Sequence, residues 1–575
     1  MKIKAPGLVA LILTVTLLEQ SLFVRTTGAY ATDRMEQPSA AQIARFETQL
    51  EGLREELKIP AYSAAIVKDQ KVIWAKGFGF ADVENKIPAT EHTAYHLASL
   101  TKTFASTILM QLVQEGKIKL DDPVSKYGIT LESNGVIRVR HLLSHTSEGN
   151  AGEQYRYNGN RFAELDKVIE KATGKSFAEL LIANILDPLG MDDTAPNVPT
   201  TVSTKSPNAA GQAAGSEVKA AVITEKQQQR FDRVSKILAQ PYALDREFKI
   251  TKISYPQSFS TAAGLISTVL DMAKYDIAID QNKFLTKETQ QLAFTPAVST
   301  TGKSLPYGLG WFTQDYKGTK MLWHYGYWTG NSSFILKVPE QNITFIIMAN
   351  SDNLSRPTDL GAGNALSSAV SMAFLKTFIF PQKFGQSIPE ISWNAPVTEL
   401  KNQLNSTAAN PYADVYRTDL ATKVRIYQSV GRATDATQLI KMYMELYSKP
   451  LPDDLVKLPV IAQIVGVQDN EDKSVEFKMA SSQDVRIFAI GEGQPGQMFD
   501  YGWIEDDKGS RVWEMQEPKT THAGGAGKNR KVDVVITLPA GNYKLRYKAD
   551  DSHSFDRWNA LPPDINFWGI AVYKK

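Results

Sequence analysis

Two blocks of strand-forming sequence lie far apart in this chain, and any fold it adopts has to account for both. In the first, Tyr62-Ser63-Ala64-Ala65-Ile66-Val67 and Lys71-Val72-Ile73-Trp74-Ala75 are rich in β-branched and aromatic residues and are split by the turn-like Lys68-Asp69-Gln70, the pattern of a hairpin. In the second, strands are expected over 321–324, 333–338 and 343–349, with Pro339-Glu340-Gln341-Asn342 turning between the last two. Helical spacing fills the interval. Phe104, Ile108, Leu109 and Leu112 predict a helix over 101–115 that stops near Gly116. Further helices are expected over 162–172, before Gly174, and over 177–185, before Pro188 and Gly190. An Ala-, Ser- and Leu-rich helix over 362–378 follows the last strand. Strands at both ends with helices between them imply an α+β fold, an antiparallel sheet closed by both ends of the domain and flanked by helices.

At 575 residues the chain exceeds one hydrophobic core. We expect a catalytic-sized domain over 40–384, a linker and helical segment over 385–465, and a C-terminal β-sandwich accessory domain over 466–575. The stretch 197–215, rich in Ser, Thr, Pro, Ala and Gly, reads as a surface insertion, and 386–396 as a Pro-containing linker. Val424, Ile426, Tyr427, Leu439, Met442, Tyr443 and Leu446 give 419–446 a helical pattern. Alternating strands over 475–479, 485–490, 532–538 and 543–547, broken by Gly and Asp turns, predict the sandwich.

Lys2 and Lys4 precede an apolar run from Leu8 to Leu18, and Ala29-Tyr30-Ala31 follows as a small-x-small site. This is the layout of a signal peptide, residues 1–31, cleaved after Ala31, and it predicts a periplasmic or secreted protein. Glu19 and Gln20 interrupt the run short of the ~20 apolar residues a membrane span needs. The absence of cysteine removes disulfides, thiol catalysis and thiolate metal sites. A net charge of +2, with no basic run interleaved with aromatics, argues against nucleic acid as a partner.

A serine acts as a nucleophile only if something takes its proton, and a lysine three residues on along a helix shares its face. Ser99-Leu100-Thr101-Lys102 meets that condition at the start of a predicted helix, where backbone N–H groups could also hold an oxyanion. Spacing alone decides nothing, because Ser216-Glu217-Val218-Lys219 repeats it inside the expected insertion.

The surroundings of Ser99 are more specific. Ile59-Pro60-Ala61, Gly77-Phe78-Gly79, His96 through Lys102, His141-Leu142-Leu143-Ser144-His145-Thr146-Ser147, Pro188-Leu189-Gly190-Met191, Ala263 through Thr268 and Tyr307-Gly308-Leu309-Gly310-Trp311 occur in this order. Over about 46–378 the chain resembles the serine β-lactamase and penicillin-binding-protein superfamily, above all its class C-like branch of esterases and D-amino-acid peptidases. The resemblance implies an antiparallel sheet with an all-helical subdomain, Ser99 as nucleophile and Lys102 as its partner. It also implies a Tyr-x-Asn motif, with the tyrosine as general base. Here that place holds Tyr157-Asn158-Gly159, so Tyr157 takes the base position, with Tyr155 as the fallback. Glycine stands where the asparagine should, leaving Asn158 or Asn160 to replace it. A phenol with a pKa near ~10 must be tuned downward to act as a base, and a Lys102 ammonium beside Tyr157 would do so. The third motif, Lys-Thr-Gly or His-x-Gly in the family, is His324-Tyr325-Gly326. A histidine with a pKa near ~6.5 grips a substrate carboxylate less firmly than a lysine, which shifts the expectation from β-lactams toward peptides, amides or esters. The family pattern makes the backbone N–H groups of Ser99 and Tyr327 the oxyanion hole.

His92 with His96, and His141 with His145, have the spacing of helical metal pairs but lack the glutamate of a zinc protease, and structural roles are expected for them. No cofactor is called for. In the C-terminal part, Tyr501 through Asp506, His522 through Ala526, and Asp550-Asp551-Ser552-His553 with Trp558 and Trp568 could together hold a sugar or a calcium ion. The simpler reading makes Trp513, Trp558 and Trp568 core residues and the acids turn-formers, with an accessory role in attachment to cell wall or carbohydrate. The expected function is hydrolysis through an acyl-Ser99 intermediate of a small peptide or ester substrate, with D-alanyl-D-alanine-type or other cell-wall peptides leading. A carboxylesterase, a β-lactamase and a non-catalytic peptide receptor are the alternatives.

Overall fold

The structure, a computed structural model, describes residues 37–197, 224–255, 257–385, 388–407 and 410–575. The expected signal peptide, residues 198–215 of the expected insertion, and Ser216 with Lys219 lie outside the described residues. Ala40–Lys575 form one compact unit. No helix among the described residues is long and apolar enough to cross a membrane.

The chain enters through helix α1 (Ala40–Glu56) and the hairpin β1 (Ala61–Lys68) and β2 (Lys71–Asp82), extended by β3 (Ile87–Pro88). After the helical interval come β4 (Phe312–Tyr316), β5 (Thr319–Trp328), β6 (Asn331–Val338) and β7 (Ile343–Ala349). The two blocks merge into one seven-stranded sheet of order β3-β2-β1-β7-β6-β5-β4. β1 and β7 run antiparallel, Tyr62 opposite Ala349 and Lys68 opposite Ile343. β1, β6 and β7 are buried along their whole length, and in β1 and β7 the sequence reads as a nearly continuous apolar run rather than an alternating one.

Each face of the sheet has its own helices. On one, Phe46 of α1 meets Phe345 of β7 at 5.4 Å and Phe378 at 5.1 Å between ring centroids, with Trp74 of β2 beside them. On the other, Ile335, Ile346 and Met348 join the core built around helices α2 (Thr101–Gln114) and α3 (Val269–Asp280), where Phe104 and Tyr275 stack at 3.9 Å. α2 is buried from Thr101 through Met110, so its polar side chains need internal partners. They have them: Thr103 donates to the Leu100 carbonyl, Thr107 meets the Tyr275 hydroxyl at 2.8 Å, and Ser106 donates to the Leu309 carbonyl. On β6 the buried Lys337 pairs with Asp276 and Asp280 of α3.

Two expected helices are broken by glycines in the left-handed region. The segment 362–378 begins as 3-10 turns around Gly363, φ 88°, and becomes helix α4 (Ala369–Phe374) only where Ser368 caps the Ser371 N–H. The segment 419–446 is two helices, α5 (Ala413–Ser429) and α6 (Ala433–Tyr447), turned at Gly431, φ 84°. α5 is tied to α1 by Lys423 and Glu56 at 2.7 Å, to the end of the α4 segment by Lys376 and Asp419 at 2.7 Å, and to the C-terminal part by Arg417 and Asp564.

The C-terminal part is one continuous nine-stranded antiparallel sheet that folds over on itself and nearly closes, like a barrel. Its first strand, β8 (Val460–Val465), pairs with its last, β9 (Gly569–Lys574), which in turn pairs with the long central strand Gln483–Gln494. Trp558 and Trp568 are buried inside it, and the Trp568 indole donates to Asp500 at 3.0 Å.

Phe46→Ala would leave a cavity in the aromatic cluster beneath α1 and should cost about 3–5 kcal/mol in urea unfolding. A loss below about 1 kcal/mol would show that α1 is not part of the core.

Candidate active site

Ser99 sits in a 3-10 turn, Ala98–Leu100, that runs straight into α2. The residue before it, Ala98, has φ 46°, a left-handed conformation that costs a residue with a Cβ of order 1–3 kcal/mol and persists only where its surroundings enforce it. Here they do. The Leu97 N–H donates to the Leu265 carbonyl at 2.8 Å, and the Leu97 carbonyl accepts from Ser333 of β6 at 2.7 Å. Just upstream, the short strand Tyr95–His96 pairs with Leu265–Ser267. β5 approaches this turn so closely that a Cβ on Gly326 would stand 1.9 Å from the Leu97 oxygen.

The Lys102 ammonium donates to Ser99 Oγ at 3.0 Å and to the Ala262 carbonyl at 2.8 Å. It is fully buried, and that burial pulls its pKa down to about 7. Near neutral pH a large share of the amine is therefore unprotonated and able to accept the serine proton. The Tyr157 ring lies 5.1 Å from Lys102 Nζ, its hydroxyl sealed from solvent without a formed hydrogen bond, although near enough for Ser99 to moderate its acidity. Burial, reinforced by Tyr325, pushes the Tyr157 pKa well above the ordinary phenol value. The expectation that Lys102 would hold Tyr157 as a phenolate is thus reversed. Desolvation disfavours both charged forms, so the lysine tends to lose its proton and the tyrosine to keep its own. Tyr155, the fallback, is committed elsewhere, its hydroxyl donating to the Gly361 carbonyl at 2.9 Å.

Asn158 does not take the place of the expected asparagine. Its side chain caps the helix Gly159–Ala163 by accepting from the Arg161 N–H and donates to Glu148, while its backbone N–H donates to His145 Nδ1. Gly159 faces Lys102, a Cβ there standing 3.9 Å from its Nζ. Asn160 lines the cavity beside Ser99, so of the two candidates only Asn160 is placed to meet a substrate.

His324 is also displaced from its expected role. It is buried, its Nδ1 donates to the Tyr325 carbonyl and its Nε2 accepts from the Tyr307 hydroxyl, both at 2.8 Å. Burial, with the Lys102 charge adding to it, pulls its pKa down to about 3, so it stays neutral. It forms one side of an aromatic layer with Tyr307, Phe312 and Tyr157 rather than a substrate contact. Gly326 serves the close approach of β5. Tyr327 lines the cavity, half exposed at its rim beside Trp328.

That cavity, of about 210 Å3, also involves residues no motif pointed to. Tyr255 packs at a tilt against His96, 3.8 Å between ring centroids, Asn331 sits at the start of β6, and Ser258, Ser260 and Ala262 form a wall. The only sequence signal for that wall was its neighbour Ala263-Gly264-Leu265. A larger cleft of about 640 Å3 between α1, α4 and α5 holds the ion pairs of that junction and lies apart from Ser99. His92 is exposed beside Glu91, and His141 Nδ1 accepts the Arg138 N–H. In the C-terminal sheet Glu492, Asp500 and Asp550 bring carboxylates within 4.8 Å of one another, and Lys528 pairs with Glu492 at 3.0 Å.

Residues 44–369, more than half the chain, match the Beta-lactamase family. Penicillin-binding protein 4* of Bacillus subtilis (strain 168) is 24% identical over 319 residues, covering 49% of this chain and 66% of that protein. Protein flp of Staphylococcus aureus (strain MW2) is 26% identical over 333 residues, covering 51% of this chain and 60% of that protein. The chain thus spans less than two thirds of the length of these relatives. The solved structure of the octameric penicillin-binding protein homologue from Pyrococcus abyssi aligns with a TM-score of 0.48 at 24% identity, over 60% of this chain and 78% of that one.

Separating the two asparagines gives a direct check. Asn158→Ala should lower the melting temperature through loss of about 1 kcal/mol of capping, whereas Asn160→Ala should leave stability unchanged and raise KM for whatever substrate is turned over. The opposite pattern would reverse their assignment.

Proposed function

Because the chain belongs to the Beta-lactamase family, a family of serine hydrolases, we propose that it hydrolyses peptide, amide or ester bonds through an acyl-Ser99 intermediate. The observation that carries this is the buried Lys102 amine on the Ser99 hydroxyl at 3.0 Å, with its pKa lowered to about 7. Neutral Lys102 takes the proton as Ser99 Oγ bonds to the carbonyl carbon, and the carbonyl electron pair moves to its oxygen. The backbone N–H groups of Ser99 and Tyr327 receive that oxyanion. The proton then passes from Lys102 to the leaving nitrogen or oxygen, with the protonated Tyr157 hydroxyl beside it as a relay, and the bond to the leaving group breaks. Water repeats the cycle on the acyl-enzyme, giving up its proton to Lys102 and releasing the acid and free Ser99.

The leading substrates are cell-wall or D-amino-acid peptides, a reading supported by the likeness to penicillin-binding protein 4*. Esters come next, since neutral, fully engaged His324 offers no cation to a carboxylate. Export follows from Lys2, Lys4 and the apolar run behind them.

Intact-mass spectrometry after a fluorophosphonate or a labelled penicillin should show one adduct on the wild type and none on Ser99→Ala. An adduct that survives Ser99→Ala, or none on the wild type, overturns the proposal, the latter leaving the peptide receptor. Lys102→Met should slow labelling by roughly 10²–10⁴-fold. The wild-type rate should rise with pH through a midpoint of about 7, because the reactive amine is the deprotonated one. A flat profile from pH 5 to 9 would remove Lys102 as the base. In a panel of D-Ala-D-Ala peptides, esters and cephalosporins, turnover should fall in that order.

A further inference from the structure

Asp166 is a half-buried carboxylic acid that the reaction above does not use. It lies in the first turn of the helix Leu165–Thr173, behind the cavity wall, and its Oδ1 accepts the backbone N–H of Thr261 at 3.0 Å. Thr261 is at the tip of a tight hairpin in which Ser260 and Ala263 exchange backbone hydrogen bonds. The Thr261 hydroxyl adds a second tie to the same helical region by donating to the Phe162 carbonyl at 3.2 Å. The next residue, Ala262, supplies the carbonyl that accepts from Lys102. One covalent step therefore separates the residue Asp166 holds from the residue that holds the amine.

We propose that Asp166 is a positioning residue for Lys102: by accepting the Thr261 N–H it fixes the hairpin tip so that the Ala262 carbonyl meets the amine and directs it at Ser99. This rests on the reading of Ser99 and Lys102 as the reacting pair. The Asp166 carboxyl makes no salt bridge among the described residues. The charged groups facing it, Glu164 and Glu170 on its own helix, repel it, and burial with those charges raises its pKa to about 7. The Thr261 N–H offsets part of that desolvation, so the carboxyl's one backbone bond is also what makes its position tolerable. The ionisable groups around Lys102 itself are Tyr157, His145 and His324, all held neutral by burial. Its only neutral acceptors among the described residues are then Ser99 and Ala262, and the second is the one Asp166 controls.

The test is the rate of Ser99 labelling by a fluorophosphonate from pH 5 to 9, with hydrogen exchange at the Thr261 amide, on the full chain. Asp166→Ala should expose the Thr261 amide to exchange, lower the plateau labelling rate by tenfold or more, and move the pH midpoint downward, since the ammonium loses an acceptor that favours its charged form. Asp166→Asn keeps a carbonyl oxygen for Thr261 and should stay within about threefold of wild type, with the amide still protected. This second variant decides the matter if the alanine variant does not fold. A role confined to stability would lower the melting temperature of Asp166→Ala while leaving rate and midpoint unchanged, and that result overturns the proposal. So does an Asp166→Asn variant that melts like wild type but labels tenfold slower. A wild type that takes no label at Ser99 overturns the underlying catalytic reading, and the positioning role with it.

Discussion

Lys337, Lys423 and Lys102 are all buried, and the company each keeps decides its charge. Lys337 has Asp276 and Asp280, and their negative charges outweigh burial so that its pKa rises. Lys423 has Glu56, which offsets part of the desolvation that lowers its pKa. Lys102 has a hydroxyl and a backbone carbonyl only, so nothing compensates for the water it lost. The surrounding architecture maintains that imbalance. α2 is sunk into the core, an aromatic layer covers the amine on one side, and the 260–263 hairpin closes the other.

The aromatic layer works by exclusion. His145 packs at a tilt 4.2 Å from Tyr157 and accepts the Asn158 N–H, and His324 is satisfied by Tyr307 and the Tyr325 backbone. Both imidazoles are held well below their usual pKa, so neither adds positive charge beside the amine. Were either to protonate, the lysine would be driven still further toward its neutral form, and the phenol toward ionisation.

What the sequence made legible follows from the range of each interaction. Ser99 and Lys102 share a helical face, so their meeting is a local consequence of spacing, whereas Tyr157 could be placed only through the family resemblance. The sheet was legible because its main strands are rich in β-branched and aromatic residues and are bounded by turn residues. Asn158 and Asn160 could not be told apart, because one caps a helix and the other meets the cavity only once the exact start of that helix is known. His324 was read as a ligand-facing residue because its partner, Tyr307, belongs to another motif and no local pattern joins them. The wall formed by Ser258, Ser260 and Ala262 depends on Asp166 and Phe162, a long-range pairing with no periodicity to betray it. The breaks at Gly363 and Gly431 come from backbone angles that helical patterning ignores.

The order of strands also sets an order in time. As the chain emerges from its N-terminal side, β1 and β2 can form their hairpin at once, but the other edge of β1 stays open until β7 exists, close to three hundred residues later. The same situation recurs downstream, where β9 fills the gap between β8 and the central strand and supplies an edge to each only when residues 569–574 have appeared. Both sheets are thus completed by their latest strands, so contacts of high sequence separation make assembly slow and leave unpaired edges exposed in the interval. Whatever keeps the nascent chain from self-association has to act on β1 and on β8, two strands that are out of reach in the finished molecule or paired at its seam.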